Sequence, residues 1–486
     1  MHVTLINPPW FFEGRLEFLS QNLGLGYLAA CLRDADHDVT ILDSVAEAPT
    51  QHTRVQLKYQ TLNRWGLSYA EIVQRIPSDT DAIGITVPFT NNRLIARELS
   101  ETIKERFPKT PILLGGVFPS TLPHEALFPS VDYVVRGEGE RPIVDFANGV
   151  PRENMNGLVF RRDGEIIEND AVEFEKHLDR LPLPARDLLP MQTYLSMSPR
   201  GLVGRRSAAM ITSRGCPFHC KYCSVHPVAG RLWRPRSAES VLEEVDHLIE
   251  TYGVNHIEFE DDNMTLDIAR VKTILAGLIE RRQAGIPLTW ENPNGLRTET
   301  LDEEFVSMCP VSGNRTLYLP VEHGSKEMLR KMGKPQNLEA IERVIEWCSK
   351  HGVRTVIFMI VGYPGETDAL WREGWEYARK LRDLGATRFE VFLAKPYPGT
   401  RMYQECEENG YLVYPDSENV VYDMDFVGVS TPEFTPQDVL RRRNQMKRDL
   451  NPLFSTWKAG LARILPSTVF RHLKSLQERW IGPREC

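Results

Sequence analysis

The sequence has no long apolar run. Nowhere do about 18 consecutive apolar residues follow one another, the minimum for a transmembrane helix, and the first residues read as a strand without the segments of a secretory signal. We therefore expect a cytoplasmic protein without a membrane span. The net charge of −8 argues against a nucleic-acid partner, because general nucleic-acid binders carry an excess of positive charge.

Cysteine is scarce, with eight residues in 486, yet three of them form one short cluster: Cys216, Cys220 and Cys223. Structural cysteines behave as small buried hydrophobes and scatter along a chain. A disulfide or a zinc site would also use cysteines, but a zinc ribbon needs a second ligand pair and no second cysteine pair follows. Because iron–sulfur clusters usually take four cysteines, three thiolates on one loop suit a [4Fe–4S] cluster with one open iron.

The glycine pattern Gly-x-Gly-x-x-Gly is absent from the first helix, which argues against a nicotinamide or flavin dinucleotide. The first 148 residues nevertheless alternate between β-rich runs and helical stretches, which predicts a doubly wound parallel sheet. Its β-rich runs are Val3 to Ile6, Val39 to Leu42, Ala82 to Thr86, Ile112 to Leu114 and Tyr133 to Val135. Ligands of such sheets lie beyond the carboxyl ends of the strands.

A second β/α alternation runs from residue 208 to residue 400 and starts directly before the cysteine cluster. Six β/α units in series predict a parallel sheet that curls into a partial barrel. The predicted strands are 208–213, 256–259, 288–291, 316–321, 355–361 and 388–394. Functional residues of such a barrel are expected at the carboxyl ends of its strands.

The C-x3-C-x-aromatic-C pattern, at the start of such a barrel, resembles the radical S-adenosylmethionine (SAM) superfamily. The resemblance implies that the amino and carboxylate groups of SAM chelate the open iron. It also implies that Tyr222 lies beside the adenine, that Glu260, Asp261 and Asp262 lie near the SAM amino group, that Glu322 lies near the ribose, and that Gly362 lies in a turn near the adenine.

The loops that follow the amino-terminal strands resemble the cobalamin-binding domain that precedes the barrel in one radical SAM subclass. The implied cobalamin contacts are Asn7, Pro8, Pro9, Thr86, Val87, Pro88, Phe89, Gly115, Gly116, Phe118, Pro119, Ser120, Gly137, Glu138 and Gly139. The Asp-x-His-x-x-Gly signature is absent and Phe118 stands where relatives often carry His, so we expect no protein imidazole on cobalt. The alternative is a Rossmann-like domain that binds no ligand.

The sequence thus predicts an α/β protein with four regions. These are a Rossmann-like cobalamin-binding domain (1–148), a linker with a small hairpin (149–207), a (β/α)6 radical SAM core (208–400) and a helical, basic carboxyl-terminal region (401–486). Residues 437–486 hold 11 Lys or Arg against 4 Asp or Glu. Such a segment is either a solvated helix packed on the barrel or an interfacial helix that contacts membranes peripherally.

The resemblance implies a 5′-deoxyadenosyl radical that abstracts hydrogen from an unactivated carbon. The commonest outcome in the subclass is methylation of that carbon of a small molecule, with methylcobalamin as the donor. The alternatives are a radical cyclisation or rearrangement, as in the ring-forming relatives of tetrapyrrole biosynthesis, and a non-catalytic metal-binding scaffold. We also expect an external electron donor such as flavodoxin or ferredoxin. No motif names the substrate or a catalytic residue.

Overall fold

A computed structural model describes the chain except residues 13, 15, 17, 18, 198–204, 416–419, 422–424 and 452–486. In the amino-terminal part the strands are β1 (His2–Asn7), β2 (Trp10–Phe12), β3 (Asp38–Asp43), β4 (His52–Gln56), β5 (Thr61–Trp65), β6 (Ala82–Thr86), β7 (Ile112–Gly115), β8 (Tyr133–Val135), β9 (Leu158–Arg162) and β10 (Glu165–Glu168). The helices are α1 (Leu23–Asp34), α2 (Ser44–Glu47), α3 (Tyr69–Arg75), α4 (Arg93–Arg106), α5 (Val117–Thr121), α6 (Pro123–Ala126), α7 (Glu140–Ala147) and α8 (Met191–Ser196).

Seven of these strands form one sheet in the order β10-β9-β8-β7-β6-β1-β3. The five consecutive strands β3, β1, β6, β7 and β8 are parallel. Their order is that of a flavodoxin-like sheet with its topological switch point between β1 and β6. Because successive side chains of a strand point to opposite faces, Leu5 and Ile6 enter separate apolar cores on the two sides of the sheet.

Two features of the amino-terminal part differ from the sequence-based description. The hairpin β9–β10, placed in the linker from the sequence, pairs antiparallel with β8 and extends the main sheet. A three-stranded antiparallel sheet of β2, β5 and β4 was not predicted. The outermost strand β4 is mostly polar and exposed, so it lacks the alternation of apolar and polar residues that marks a strand in a sequence.

The second part contains strands β11 (Ser207–Met210), β12 (Ser213–Arg214), β13 (Arg234–Pro235), β14 (His256–Phe259), β15 (Thr289–Glu291), β16 (Thr316–Glu322), β17 (Arg354–Val361) and β18 (Arg388–Leu393). Its helices are α9 (Val225–Ala229), α10 (Ala238–Tyr252), α11 (Ile268–Gln283), α12 (Glu303–Ser312), α13 (Lys326–Lys331), α14 (Leu338–Lys350), α15 (Asp368–Asp383), α16 (Arg401–Glu408) and α17 (Pro436–Leu450).

Six of these strands are the parallel strands of the predicted barrel. They form two three-stranded parallel sheets, β11-β14-β15 and β16-β17-β18. The segment after β15 reaches the second sheet where Leu296 N donates to Tyr318 O at 2.8 Å. The predicted α/β architecture, with a doubly wound sheet followed by six parallel strands that alternate with helices, is confirmed.

Side-chain caps define where the barrel helices begin. Helices α10, α11, α12, α14 and α15 are each preceded by a residue whose side chain accepts a hydrogen bond from the third backbone N–H of the helix: Ser237, Asp267, Asp302, Asn337 and Thr367. These residue types stabilise helix starts because they satisfy backbone donors that the helix leaves unpaired.

The described end of the basic tail is the helix α17, which packs against α15 and β18. Two of its arginines are buried, Arg442 and Arg443. The apolar residues expected to complete an interfacial helix, Trp457, Leu461, Ile464, Leu465, Phe470 and Leu473, lie outside the described residues. Among the described helices, none combines the length and the apolar character needed to cross a bilayer.

Candidate functional site

The cysteine loop connects β12 to α9. Cys216, Cys220 and Cys223 are half-buried free thiols. Backbone bonds shape the loop, since Cys216 N donates to Gly230 O at 3.4 Å and Cys223 N donates to Cys220 O at 3.2 Å. The ring of His226 donates from Nε2 to the Cys216 carbonyl at 3.0 Å. His226 therefore supports the loop through its backbone.

Residues that follow β16 in the chain contact the cysteine loop and fix its position. Lys221 N donates to Met332 O and Met402 N donates to Lys221 O, both at 2.9 Å. Gly333 lies so close that a Cβ on it would come within 2.5 Å of the His219 carbonyl, and its φ is +71°. Only glycine adopts this conformation and this approach without strain. The loop thus rests on elements more than a hundred residues away in the chain.

The donor set fits an open-site cluster. Burial raises the pKa of all three thiols, to about 12 for Cys223, so bound iron must stabilise the thiolate form. No three Cys, His, Asp or Glu side chains of the described chain converge to hold a single metal ion. In a [4Fe–4S] cluster each thiolate instead binds a different iron.

Tyr222 and Glu322, two of the predicted SAM contacts, lie together. The Tyr222 hydroxyl donates to Glu322 Oε1 at 3.1 Å, and Lys334 Nζ donates to the same oxygen at 2.8 Å. Burial, followed by the Glu322 carboxylate, raises the pKa of Tyr222 well above its usual value, so the phenol stays protonated and can donate. Glu322 ends β16 with a φ of +64°, which is rare for a residue other than glycine and occurs often at functional sites.

The three acids after β14 have different environments. Asp261 is fully buried and accepts hydrogen bonds from the Thr212 amide at 3.1 Å and from the Thr212 and Ser213 hydroxyls at 2.7 and 2.6 Å, so it ties the ends of β11 and β14 together. Glu260 and Asp262 instead line a cavity. Asp262 is open to that cavity but closely surrounded by protein, and this desolvation, together with Asp261, raises its pKa to about 6.

Gly362, the predicted adenine turn, is fixed by a buried carboxylate. Its N–H donates to Glu366 Oε2 at 2.9 Å, while Arg442 of α17 lies 3.3 Å from the same oxygen and His323 Nε2 lies 3.3 Å from Oε1. Arg442 also binds Asp368 at 2.6 Å. Helix α17 therefore contacts the turn through Arg442.

The cavity lined by Glu260 and Asp262, here the glycine-lined cavity, has a volume of about 310 Å³. From the amino-terminal sheet it is lined by strand ends and helix residues including Leu5, Gly24, Leu25, Leu28, Gly84, Thr86, Gly115, Gly116, Gly137, Glu138 and Gly139. Ser213, Arg214 and Val228 line it from the barrel side. It lies at the switch point of the flavodoxin-like sheet, where ligands of such sheets bind.

One glycine of this cavity, Gly115, leaves open space that a ligand can occupy. A Cβ on Gly115 would meet no protein atom within 4 Å, so any side chain there would occupy the cavity. Ser120 links two of the glycine loops, because its hydroxyl donates to the Gly116 carbonyl at 2.7 Å and accepts from the Gly137 N–H at 2.9 Å. At Gly115 the backbone can therefore approach a ligand closely.

Not all predicted cobalamin contacts face this cavity. Thr86 and the glycine-loop residues Gly115, Gly116, Gly137, Glu138 and Gly139 line it, whereas the remaining predicted contacts Asn7, Pro8, Pro9, Val87, Pro88, Phe89, Phe118, Pro119 and Ser120 do not. Asn7 donates to Asp43 at 2.9 Å. Phe118 is fully buried and stacks on Phe128, with ring centroids 6.3 Å apart, because its helix turns it into the core behind the sheet.

A set of buried ion pairs joins the two parts of the chain at the cavity and was missed from the sequence. Glu138 binds Arg234 at 2.7 Å and Arg214 at 3.3 Å, and Glu140 binds Arg214 at 2.8 Å. The signal was the pair of acids in Arg136-Gly137-Glu138-Gly139-Glu140 and the arginine that directly precedes the cysteine loop. Their pairing joins residues between 74 and 96 positions apart and cannot be read from local pattern.

Phe89 lines a different, larger space, here the aromatic cavity, with a volume of about 790 Å³. It lies between the amino-terminal part and the ends of β17 and β18. Its aromatic lining comprises Phe11, Phe12, Phe89, Tyr222, Tyr363, Phe392 and Tyr397. Tyr222 brings the cysteine loop to its wall. Most of these aromatic residues do not belong to a recognisable sequence motif.

Comparison with known sequences adds independent information. A model of the radical SAM superfamily matches residues 210–376, and a model of the B12 binding domain matches residues 14–147. An uncharacterized methyltransferase of Pyrococcus horikoshii is 30% identical over 399 residues, which cover 80% of this chain and 79% of the relative. The cytidylyl-2-hydroxyethylphosphonate methyltransferase of Streptomyces wedmorensis is 28% identical and covers 87% of this chain and 84% of its own.

Solved structures share the fold. The radical SAM methyltransferase TsrM from Kitasatospora setae, with cobalamin and a [4Fe–4S] cluster bound, superimposes with a TM-score of 0.66 at 20% identity, over 91% of this chain and 84% of TsrM. The cobalamin-dependent radical enzyme OxsB, with aqua-cobalamin and SAM bound, gives a TM-score of 0.69 at 18% identity, over 98% of this chain and 71% of OxsB.

Proposed function

This chain belongs to the cobalamin-dependent radical SAM family, and we propose that it methylates an unactivated carbon of a small molecule. The family expected from the cysteine loop is thereby confirmed, and the protein is a radical SAM enzyme. Its cofactors are a [4Fe–4S] cluster, SAM and cobalamin. When bound, these groups supply a 5′-deoxyadenosyl radical and a transferable methyl group, and the protein binds and shields them.

Each cofactor has residues that suit it. Cys216, Cys220 and Cys223 would hold the cluster. Asp262 would face the ammonium group of SAM, and Glu322, oriented by Tyr222 and Lys334, would face its ribose. The glycine-lined cavity would take part of cobalamin. Within the described chain no histidine lines that cavity, which supports cobalt without a protein imidazole.

One observation carries the proposal. The glycine-lined cavity is shared, since the same space is lined by the glycine loops of the flavodoxin-like sheet and by Arg214 and Asp262 at strand ends of the barrel. A methyl carrier held by the first would therefore open toward a SAM held by the second. The buried ion pairs of Glu138 and Glu140 with the barrel arginines fix the position of the amino-terminal sheet relative to the barrel at this cavity.

A radical cyclisation is the second candidate, and a specific observation favours it. An anaerobic magnesium-protoporphyrin IX monomethyl ester cyclase of Synechocystis is 25% identical and covers 75% of this chain and 69% of its own. The methyltransferases named above share more of this chain and are more similar to it. Methyl transfer is therefore the function that we propose first.

Product analysis separates the two functions. A methylase consumes SAM in two ways, as a methyl donor and as a radical source, because one SAM molecule cannot be cleaved in both ways. The reconstituted, reduced enzyme should therefore form S-adenosylhomocysteine as well as 5′-deoxyadenosine. A cyclase would form 5′-deoxyadenosine with little S-adenosylhomocysteine. The Cys220→Ala variant provides the control, since without a cluster no 5′-deoxyadenosine should form.

A further inference from the structure

The segment that leads into the cysteine loop is bound to the wall of the glycine-lined cavity through Arg214. This residue lies in β12, two positions before Cys216, the first of the proposed cluster ligands. Its guanidinium group binds Glu140 at 2.8 Å and Glu138 at 3.3 Å. Both glutamates line the cavity proposed for cobalamin. One cation therefore connects two sites that would hold different cofactors.

Arg234 makes the same connection on the other side of the cysteine loop. It pairs antiparallel with Arg214 between β13 and β12. Two hydrogen bonds, at 2.7 and 2.9 Å, join its guanidinium group to the Glu138 carboxylate. A third, at 3.0 Å, reaches the carbonyl of Ala229, the last residue of α9. The segments on both sides of the cysteine loop are thus bound to the same carboxylate.

These ion pairs are almost closed to solvent. The side chains of Arg214, Arg234, Glu138 and Glu140 are between 2% and 13% exposed, so salt screens their attraction little. The ring of Tyr27, in α1, covers the Arg214 guanidinium group at 4.8 Å. A buried charge that loses its partner is strongly destabilised. The cysteine loop and the segment around Glu138 therefore shift only together.

The segment around Glu138 has little rigidity of its own. Glu138 stands between Gly137, whose φ is +77°, and Gly139, and glycine loses more conformational freedom on ordering than any other residue. When one ligand has already ordered a shared segment, a second ligand that needs the same segment binds at a lower entropic cost. Ordering of the cysteine loop by a cluster would therefore extend, through Arg214, to the wall of the cavity.

We propose that Arg214 is a positioning residue that couples the two cofactor sites, so that a bound cluster raises the affinity of the cavity for cobalamin. Coupling between binding sites is reciprocal, so cobalamin also raises the affinity for the cluster. Such coupling typically amounts to roughly 5–150-fold in affinity. The inference concerns cofactor binding and goes beyond the proposed function, because it holds for methyl transfer and for cyclisation alike.

Equilibrium dialysis against hydroxocobalamin measures the coupling. The dissociation constant is determined for protein with a reconstituted cluster and for protein from which a chelator has removed the iron, both without SAM. The ratio of the two constants is the readout. We expect the wild type to bind hydroxocobalamin about tenfold more tightly when the cluster is present, and Arg214→Gln to bind it equally in both forms.

The ratio separates coupling from general stability. Replacement of a residue that only stabilises the fold would weaken both forms alike and leave the ratio unchanged. Glu140→Gln is the milder variant, since it keeps the side-chain volume and leaves Arg214 paired with Glu138, and its ratio should lie between those of the wild type and Arg214→Gln. The control Arg33→Gln removes an exposed ion pair with Asp187, 2.8 Å long, and should keep the wild-type ratio.

Each alternative outcome contradicts the inference. Wild-type protein that does not bind hydroxocobalamin, or binds it equally with and without the cluster, would overturn it. So would a wild-type ratio in Arg214→Gln or, where that variant does not fold, in Glu140→Gln, and so would loss of the ratio in Arg33→Gln. Dialysis requires no SAM cleavage. An absence of S-adenosylhomocysteine would therefore refute methyl transfer without affecting this result.

Discussion

The Tyr222 hydroxyl donates a hydrogen bond to Glu322 Oε1 at 3.1 Å. It joins the cysteine loop, at the start of the barrel, to the end of β16. Lys334 donates to the same carboxylate at 2.8 Å. The ammonium group and the phenol thus both fix the position of the Glu322 carboxylate. The bond couples the residues proposed to bind the cluster to those proposed to bind the SAM ribose.

Tyr222→Phe should loosen the cluster without preventing its formation. A hydrogen bond to a charged group is worth about 1.5–3 kcal/mol, so we expect iron to be released to a chelator about tenfold faster. Iron release is followed by the loss of cluster absorbance. Tyr252→Phe, at the end of α10, is the control. Equal release rates in the wild type and Tyr222→Phe would show that this bond does not hold the loop.

Arg442→Gln should destabilise the protein and weaken SAM binding together. Glu366 is fully buried, and removal of Arg442 leaves that carboxylate without its nearest cation. Breaking a buried pair in this way costs about 3–5 kcal/mol, and Gly362, which donates to Glu366, would lose its fixed position. Thermal unfolding and SAM equilibrium dialysis measure the two effects.

The neighbouring Arg441→Gln is the control for this prediction, because Arg441 lies on the same helix with its side chain 67% exposed. Surface ion pairs contribute little, at most about 1 kcal/mol. Similar thermal midpoints for the two variants would mean that the contact between α17 and the turn carries no stability.

SAM affinity should depend on pH through Asp262. Its pKa of about 6 means that the carboxyl is charged above pH 6 and neutral below it, and the SAM ammonium group favours the charged form. The affinity that it contributes is therefore present above pH 6 and lost as the pH falls. Between pH 7 and pH 5 the dissociation constant of the wild type should rise about tenfold.

Asp262→Asn removes this dependence. The variant should bind SAM weakly at both pH values, whereas Asp383→Asn, at an exposed position on α15, should follow the wild type. Calorimetric titration at a series of pH values makes the comparison. A variant that retains the full pH dependence of the wild type would exclude Asp262 as its origin.

Cys220→Ala should abolish the cluster, since the three-thiolate set offers no spare ligand. We expect iron below about one atom per chain after anaerobic reconstitution, together with loss of absorbance near 400 nm, the region of iron–sulfur charge transfer. Cys31→Ala removes a thiol of similar exposure in α1 and should retain the cluster. Wild-type iron content in Cys220→Ala would refute the assignment.

The strands and helices of both parts could be predicted from the sequence where neighbouring residues determine them. Buried parallel strands are short apolar runs, and the helices of the barrel begin after capping residues such as Ser237 and Thr367, so both leave a clear pattern. The cysteine loop was found because three thiols in eight positions have few structural explanations. These signals depend on residues close in the chain.

The parts that could not be predicted depend on distant pairs. Asn7 and Phe118 belong to motif-like sequence segments, yet Asn7 is bound to Asp43 at the end of β1 and Phe118 is buried in the core from α5. Arg442 reaches Glu366 across 76 positions of sequence. The aromatic rings that line the aromatic cavity come from positions between 11 and 397 of the sequence. No spacing rule connects such residues, because the fold brings them together.

The most direct test of methyl transfer uses SAM with a deuterated methyl group and needs no substrate. Reduced, reconstituted protein is incubated with this SAM, and the corrinoid extracted from it is analysed by mass spectrometry. The proposed function predicts a deuterated methyl group on the corrinoid and S-adenosylhomocysteine in equal amount. An unlabelled corrinoid, with 5′-deoxyadenosine as the sole product of SAM, would contradict it.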